Sequence, residues 1–301
     1  MTWDSADPPS GKSTASPDGL PPLRDVIAAH GLDARKALGQ NFILDLNLTR
    51  RIARVGGSLD GVNVVEIGPG PGGLTRALLL EGAAHVIAIE RDYRCLPALE
   101  DIARAYPARL TVHHGDALEV DWTSVLAGHQ NRPVRVIANL PYNIATKLLI
   151  DWLETEPWPP WFDTLVLMFQ LEVAERIVAE HGSRAYGRLS IISQWRTSPR
   201  IAMKLKPEAF TPPPKVASAV VELIPRAAPE PVCTVDRLGK VTAAALGQRR
   251  KMLRSSLKSI VPFPELLLSK LGIDPTLRAE QLTIGQFAEI AAELDRLHQA
   301  P

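Results

Sequence analysis

The sequence predicts an α/β protein in which a mostly parallel, doubly wound sheet is followed by a small all-helical domain. Short apolar runs of strand character alternate with segments of helical apolar spacing along most of the 301 residues. A glycine-rich turn directly follows the first predicted strand. Beyond a proline-bounded linker at residues 226–231, all assigned segments have helical spacing, which predicts the second domain.

The elements are assigned in chain order from their apolar spacing. Strands are predicted at residues 62–67, 85–90, 110–114, 134–138, 164–169 and 217–224, the last at a sheet edge or as half of a terminal hairpin. Helices are predicted at residues 21–30, 46–56, 74–80 and 171–179, and after the linker at 235–246, 252–257, 265–271 and 284–297.

Composition restricts the classes of function. The hydrophobic fraction of 46% and charged fraction of 22% are those of a globular protein, and the net charge of +1 gives no overall attraction to nucleic acid. No apolar run approaches the length of a membrane span, and residues 1–20 lack the apolar region of a secretory signal. We expect a cytoplasmic protein whose first twenty residues are a disordered tail. Cys95 and Cys233 lack metal or redox spacing, which indicates a reduced setting.

The glycine-rich turn at residues 68–73 allows two interpretations. A strand, a glycine turn and a helix together are typical of a nucleotide-binding loop, because glycine lets a ligand approach the backbone and a helix N-terminus offers free amides. Its glycines also satisfy the dinucleotide fingerprint of a nicotinamide dehydrogenase. Glu66, just before the turn, resembles the acidic residue of S-adenosylmethionine sites, and no second glycine loop follows. The methyl-donor interpretation is therefore favoured.

Two acidic residues follow the next strands. Glu90 ends its strand about 20 residues after the glycine turn, where a carboxylate can accept hydrogen bonds from both ribose hydroxyls. Asp116 could accept a hydrogen bond from an adenine amino group. The structural alternatives are a solvated acid at the strand end for Glu90 and a turn or helix cap for Asp116. His113 and His114 have no partner at ligand spacing, so no metal site is predicted.

The run Asn139-Leu140-Pro141-Tyr142 ends the fourth predicted strand. Ligands bind at the carboxyl end of strands in open α/β sheets. An amide, a carbonyl exposed by the following proline and an aromatic ring suit a flat ring that bears an amino group. A core role for the aromatic ring of Tyr142 remains the alternative. The run 39–42, Gly-Gln-Asn-Phe, has no clear period and is interpreted on spacing alone as a surface turn.

Two basic runs predict an RNA surface. Residues 181–207 contain six Arg or Lys residues and no acid, and residues 243–260 contain five and no acid. One such run is commonly a solvated helix face, whereas two in different domains better fit phosphate contacts along an RNA. The predicted contacts are Arg188, Lys204, Lys206, Lys215, Arg249, Arg250, Lys251 and Arg254.

These motifs resemble one family, the small-subunit (16S) ribosomal RNA adenine dimethyltransferases of the KsgA/RsmA type. The resemblance covers residue 36 to the end, and it is carried by six motifs in order and by two runs in the helical domain. They are Gly-Gln-Asn-Phe (39–42), Glu-Ile-Gly-Pro-Gly (66–70), Gly-Asp-Ala (115–117), Asn-Leu-Pro-Tyr-Asn-Ile (139–144), Ala-Tyr-Gly-Arg-Leu-Ser (185–190) and Ala-Phe-Thr-Pro-Pro-Pro-Lys-Val (209–216), then Gln-Arg-Arg-Lys (248–251) and Arg-Ala-Glu (278–280).

The resemblance implies a Rossmann-like class I methyltransferase with a seven-stranded, mostly parallel sheet. The implied domains are a methyltransferase domain at 21–226 and a helical RNA-binding domain at 232–301. Because of the resemblance, residues 39–42 are interpreted as part of the functional site and no longer as a surface turn. The implied donor-binding residues are Asn41, Ile43, Glu66, Gly68, Gly70, Glu90, Asp116, Ala117 and Asn139, and the implied catalytic residues are Asn139, Leu140, Tyr142 and Phe210.

The implied reaction is transfer of methyl groups from S-adenosylmethionine to two adjacent adenosines near the 3′ end of 16S rRNA, during small-subunit assembly. Tyr142 is expected to stack on one face of the target base and Phe210 on the other, although Phe210 could instead anchor a loop. The expected partner is 16S rRNA in assembly particles, with a monomer off the ribosome. The alternatives are a 23S rRNA adenine methyltransferase of the antibiotic-resistance type and a non-catalytic assembly or transcription factor.

Overall fold

The protein is described by a computed structural model over residues 16–34 and 39–299. Its sheet has seven strands, and helices cover both faces. The strands are β1 (Asn63–Ile67), β2 (His85–Glu90), β3 (Leu110–His114), β4 (Val134–Ala138), β5 (Thr164–Gln170), β6 (Thr197–Leu205) and β7 (Ser218–Pro225). The helices are α1 (Leu23–Ala29), α2 (Leu46–Ala53), α3 (Gly73–Leu80), α4 (Leu96–Ala105), α5 (Trp122–Val125), α6 (Tyr142–Leu153), α7 (Leu171–Ile177), α8 (Arg188–Arg196), α9 (Val235–Gly247), α10 (Leu253–Ser256), α11 (Pro264–Lys270) and α12 (Ile284–Gln299).

The strand order is β3-β2-β1-β4-β5-β7-β6, with β1 to β5 parallel and β7 antiparallel to both of its neighbours. This arrangement confirms the predicted doubly wound, mostly parallel sheet. The strand order reverses between β1 and β4, which in open α/β sheets is where a ligand crevice forms. All five residues of β1 are buried because helices cover both faces, as expected of a central parallel strand.

The prediction for the late strand is confirmed in one of its two alternatives. Strand β7 pairs with β6 as an antiparallel hairpin, as one alternative held, but it lies inside the sheet and β6 forms the edge. Strand β6 carries no long apolar run, since exposed residues that include Arg200 and Lys204 interrupt it. Polar residues on an edge strand disfavour pairing with another chain. They also make the strand difficult to recognise from its apolar residues.

The helices after the linker share a core with the sheet domain. Tyr186, Ile191 and Trp195, in and just before α8, are buried in the same hydrophobic cluster as Leu238 of α9 and Phe287 of α12. The segments before and after the predicted linker therefore pack against each other in one hydrophobic cluster.

Two tryptophan side chains hydrogen bond to the backbone at the two ends of the linker. The indole nitrogen of Trp195 donates to the Pro231 carbonyl at 3.1 Å, and that of Trp158 donates to the Arg226 carbonyl at 2.7 Å. The guanidinium of Arg196 lies against both indole rings, 4.4 and 4.7 Å from their centroids, and pairs with Glu156. Because its side chain is buried here, Arg196 does not contribute to the RNA surface that its basic run predicted.

The disordered tail predicted over residues 1–20 is too long, because its last residues pack on the fold. Asp18 pairs with Arg76 of α3 at 2.7 Å, and both side chains are almost completely buried. The Arg76 guanidinium therefore lowers the pKa of Asp18 even though burial opposes that shift. Residues 16–20 thus belong to the folded part, and residues 1–15 lie outside the described residues. Among the described helices, none has the length and apolarity that a bilayer span needs.

Candidate active site

One cavity opens at the carboxyl ends of β1, β2 and β4, where the strand order reverses. Its volume is about 1130 Å³, including the space at its mouth. The structure brings all nine predicted donor-binding residues and three of the four predicted catalytic residues to its lining. They are Asn41, Ile43, Glu66, Gly68, Gly70, Glu90, Asp116, Ala117, Asn139, Leu140 and Tyr142.

The glycine turn requires glycine for two physical reasons. Gly68 and Gly70 have φ angles of 65° and 56°, a left-handed conformation that other residues rarely adopt. A Cβ atom built on Gly70 would also lie 3.0 Å from the ring of Phe42. The turn is held because the Gly68 amide donates to the Ile89 carbonyl at 2.9 Å. The cavity wall is therefore bare backbone that a ligand can approach closely.

Glu90 is fixed by backbone donors. The Gly70 amide donates to Oε2 at 2.8 Å and the Asp92 amide donates to Oε1 at 2.6 Å. An ionised carboxylate has about four acceptor sites, so about two remain for a ligand. Burial raises the pKa of Glu90 although these amides oppose the shift. The structure thus presents a pre-oriented acceptor pair at the predicted ribose position.

Glu66 is completely buried against the same cavity. The Thr75 hydroxyl donates to its Oε2 at 2.6 Å. Burial, reinforced by the nearby Glu90 carboxylate, raises the pKa of Glu66 to about 8. The side chain is therefore mainly neutral at pH 7, a property that its place before the glycine turn did not indicate.

Asp116 is paired with a residue that sequence analysis did not assign to the site. Its Oδ1 accepts from the Leu118 amide at 3.0 Å, and its Oδ2 lies 3.1 Å from Nη1 of Arg91. Both side chains line the cavity, and Arg91 is 67% exposed. The only signal for Arg91 was its position directly after Glu90, because spacing does not show which way an exposed arginine points.

The 39–42 segment covers the cavity, so its interpretation as a surface turn was wrong. Gln40 donates from Nε2 to Oδ2 of Asp92 at 3.0 Å. Phe42 exchanges two backbone hydrogen bonds with Thr211, at 2.9 and 2.8 Å. These long-range contacts hold the segment as a wall of the site, which no local sequence pattern could show.

The side chain of Asn139 has a defined orientation. Its Nδ2 donates to the backbone carbonyl of Asn41 at 3.1 Å, which leaves Oδ1 as the remaining acceptor of that amide. Tyr142 begins α6, and its hydroxyl hydrogen bonds to the Ser218 hydroxyl at 2.5 Å. Burial raises the pKa of this phenol. The strand end therefore presents an oriented amide oxygen beside a fixed aromatic ring.

Phe210 does not reach the cavity. Its side chain is 2% exposed and packs in the cluster that also contains Val220 and Ile137. The following residue, Thr211, pairs with Phe42, which draws Phe210 down onto the sheet. The prediction that Phe210 stacks on a base is contradicted in this structure, and its alternative as a loop anchor fits the packing.

Seven of the eight predicted RNA contacts are exposed. Arg249 differs, because its Nη2 donates to the Ser183 carbonyl at 3.2 Å and its Nε lies 3.5 Å from Oε2 of Glu280. The side chain therefore joins the loop before α8 to the helical region, and although it is 40% exposed it is less available for a phosphate contact than the other seven. The exposed residues are Arg188, Lys204, Lys206, Lys215, Arg250, Lys251 and Arg254.

Two solved structures that are similar to this chain are methyltransferases. The dimethyladenosine transferase from Plasmodium falciparum matches with a TM-score of 0.70 and 25% identity, over 82% of this chain and 95% of its own. The 23S rRNA methyltransferase ErmE matches with a TM-score of 0.64 over 86% of this chain and all of its own, and at 24% identity it shows the fold alone. Fold and cavity thus define the class, a Rossmann-like, S-adenosylmethionine-dependent methyltransferase.

The chain belongs to the ribosomal RNA adenine dimethylase family, which it matches over residues 31–296. A relative in Chelativorans sp. (strain BNC1), named ribosomal RNA small subunit methyltransferase A, is 60% identical over 93% of this chain and 100% of its own length. A relative of the same name in Xanthobacter autotrophicus is 61% identical over 91% of this chain and 94% of its own. The family predicted from the motifs is confirmed.

Proposed function

We propose that this protein transfers methyl groups from S-adenosylmethionine to the exocyclic amine of two adjacent adenosines near the 3′ end of 16S rRNA, during small-subunit biogenesis. The observation that carries the proposal is that the oriented amide oxygen of Asn139 shares one cavity with the carboxylates of Glu90 and Asp116. A group that can hold a target amine and groups that can hold a nucleoside thus face the same space. The relatives named small subunit methyltransferase A support the choice of RNA.

The cavity fits the methyl donor. The bare backbone at Gly68 and Gly70 leaves room that a Cβ would fill, and the open acceptor sites of Glu90 match a pair of ribose hydroxyls. Asp116 supplies a carboxylate for the adenine amino group. The Asn41 and Ile43 segment closes the opposite wall, where the methionine end would lie. When bound, S-adenosylmethionine supplies a methyl group on a cationic sulfur that is its own leaving group.

The chemistry asked of the protein is mainly positioning. The adenine amine is a poor nucleophile because its lone pair is delocalised into the ring. Asn139 Oδ1 and the Leu140 carbonyl each accept one amine hydrogen, which favours a pyramidal nitrogen with its lone pair directed away from them. Tyr142 stacks on the base, a contact worth roughly 1–3 kcal/mol. Orientation of the amine is therefore the main catalytic effect.

The RNA is held by the exposed cations on both parts of the molecule. Lys204, Lys206 and Lys215 lie on and beside the β6–β7 hairpin, whereas Arg250, Lys251 and Arg254 lie before and in α10. Phosphate contacts from two surfaces suit a folded RNA better than a short single strand. We further propose that the protein is cytoplasmic, is a monomer off the ribosome, and acts on 16S rRNA within assembly particles.

The experiment is transfer of labelled methyl groups to unmethylated small ribosomal subunits, with large subunits as the control. We expect label in the 16S rRNA of the small subunit only. Label confined to 23S rRNA would replace the proposal with the large-subunit activity that ErmE is named for. RNA binding without label in either subunit would instead indicate a non-catalytic assembly factor.

A further inference from the structure

The helical region exposes two large apolar side chains that its core does not use. Phe263, just before α11, is 69% exposed, and Leu266 in the first turn of α11 is 71% exposed. They are three residues apart, so they lie on one face of the helix, while Leu267 and Leu268 point into the core. Exposed apolar side chains that stand together indicate a binding surface.

The charges near Phe263 and Leu266 indicate what kind of partner would bind there. From Arg237 to Pro264 the sequence has seven Arg or Lys residues and no Asp or Glu. Within the described part of the chain, Arg250, Lys251 and Lys258 are exposed and form no ion pair, whereas Arg237, Lys240 and Arg249 do. The carboxylate of α11 itself is Glu265. Unpaired cations beside an exposed aromatic ring match a nucleic-acid strand, which offers phosphates and base faces together.

The chain leads from the cations to the ring through a short turn. The Val261 amide donates to the Leu257 carbonyl at 3.1 Å, which closes a turn that contains Lys258 and ends two residues before Phe263. Helix α10, which carries Arg254, packs against α11. Lys258, Phe263 and Leu266 therefore lie within one nine-residue stretch, and with Arg254 on the adjacent helix we define them as the Phe263 surface.

We propose that the Phe263 surface binds an unpaired segment of ribosomal RNA, with one base stacked on Phe263 and its neighbouring phosphates held by Lys258 and Arg254. The inference rests on the proposed function and adds an RNA contact outside the active-site cavity. Leu266 extends the apolar platform, and stacking on a single ring is tolerant of base identity. This contact holds the substrate by its single-stranded part, which suits RNA because its loops present unstacked bases.

The test compares binding of protein-free 16S rRNA and of small-subunit particles by wild type, Phe263→Ala, Phe263→Trp and Lys258→Ala. Leu297→Ala is the matched control, since Leu297 is also an exposed apolar residue, on α12. We expect Phe263→Ala to weaken binding to protein-free RNA by about 5- to 150-fold, the range for one lost base–aromatic contact. The slope of log affinity against log salt should stay unchanged, because no charge is removed.

The other variants separate stacking from charge. Phe263→Trp should bind within about threefold of wild type because the ring is kept, and Leu297→Ala should match wild type. Lys258→Ala should reduce the salt slope by about 0.7–0.9, the value for one phosphate contact. Thermal unfolding of each variant shows that the fold is intact.

Wild-type affinity of Phe263→Ala for protein-free RNA would overturn the inference. A loss confined to particles would also overturn it and would assign the surface to a ribosomal protein. Labelled-methyl transfer by the wild type, measured in parallel, tests the proposed function separately. Transfer with no effect of Phe263→Ala on RNA binding rejects the Phe263 surface alone.

Discussion

The side-chain amide of Asn139 donates to the backbone carbonyl of Asn41, 3.1 Å away, although 98 residues separate them in sequence. The segment that forms one wall of the cavity thus also orients the amide at the end of β4. The two segments that we propose to hold the donor and the target are therefore linked through one hydrogen bond. Several consequences of this site can be measured.

Asn139→Ala should slow methyl transfer much more than it weakens donor binding. In the proposed mechanism the side chain removed holds the amine in the reactive geometry, and loss of one such group costs about 10²- to 10³-fold in rate. Single-turnover transfer and calorimetric binding of S-adenosylmethionine measure the two effects. Asn131→Ala is the control because Asn131 is exposed in the loop before β4. Equal losses in rate and donor affinity would mean that Asn139 only binds the donor.

Arg91→Ala should weaken donor binding by roughly fivefold, the size expected from one exposed ion pair of about 1 kcal/mol. The change removes one of the two contacts that orient the Asp116 carboxylate, which we propose to hold the adenine end of the donor. Arg104→Ala removes a comparable exposed pair, with Asp101 at 2.7 Å, away from the cavity lining. Calorimetry on both variants is the measurement. A donor affinity that Arg91→Ala leaves unchanged would remove Arg91 from the site.

Glu66 should make the stability of the ligand-free protein depend on pH. Burial raises the pKa of Glu66 to about 8, well above the value of 4.5 in an unfolded chain. The folded state therefore holds a proton that the unfolded state releases, and the stability from the neutral form is present in full below pH 4.5 and is lost as pH rises through 8. Relative to Glu66→Gln, the melting temperature of wild type should fall between pH 5 and pH 8 (about the span of the two pKa values). A constant difference would show that Glu66 ionises normally.

Arg249 and Arg250, adjacent in sequence, should behave differently. Arg249→Ala removes contacts with Ser183 and Glu280, so it should lower the melting temperature and leave the salt slope of RNA binding nearly unchanged. Arg250→Ala should leave the melting temperature unchanged and reduce the slope by about 0.7–0.9. Thermal unfolding and a salt titration distinguish the two. Identical behaviour of the two variants would contradict the assignment of Arg249 as an internal contact.

Sequence patterns predicted the parts of the fold that depend on local chemistry. The glycine turn and the alternation of apolar runs predicted the parallel strands and the cavity edge. Both features are visible in short stretches of sequence, because backbone freedom requires glycine and burial requires apolar residues. Strand β6 was missed because exposed residues, Ser198, Arg200 and Lys204, interrupt its apolar residues at the sheet edge. The wall formed by residues 39–43 was recognised only through family resemblance, since its contacts with Asp92 and Thr211 are long-range.

Side-chain orientation limited the prediction of roles. Phe210 and Arg196 belong to the residue types and runs expected at an RNA site, yet both are buried, and Arg249 is held by contacts with Ser183 and Glu280. An aromatic ring or an arginine has the same sequence pattern whether it faces solvent or a buried partner. The approach of Arg91 to Asp116 and the neutral state of Glu66 depend in the same way on three-dimensional packing.

The most direct test of the proposed reaction is nucleoside analysis of 16S rRNA after reaction with unmethylated small subunits. Digestion to fragments and mass spectrometry should find N6,N6-dimethyladenosine at two adjacent positions in one fragment near the 3′ end, and the product should be absent with Asn139→Ala within the same reaction time. Methylation at any other nucleotide, or in 23S rRNA, would contradict the account.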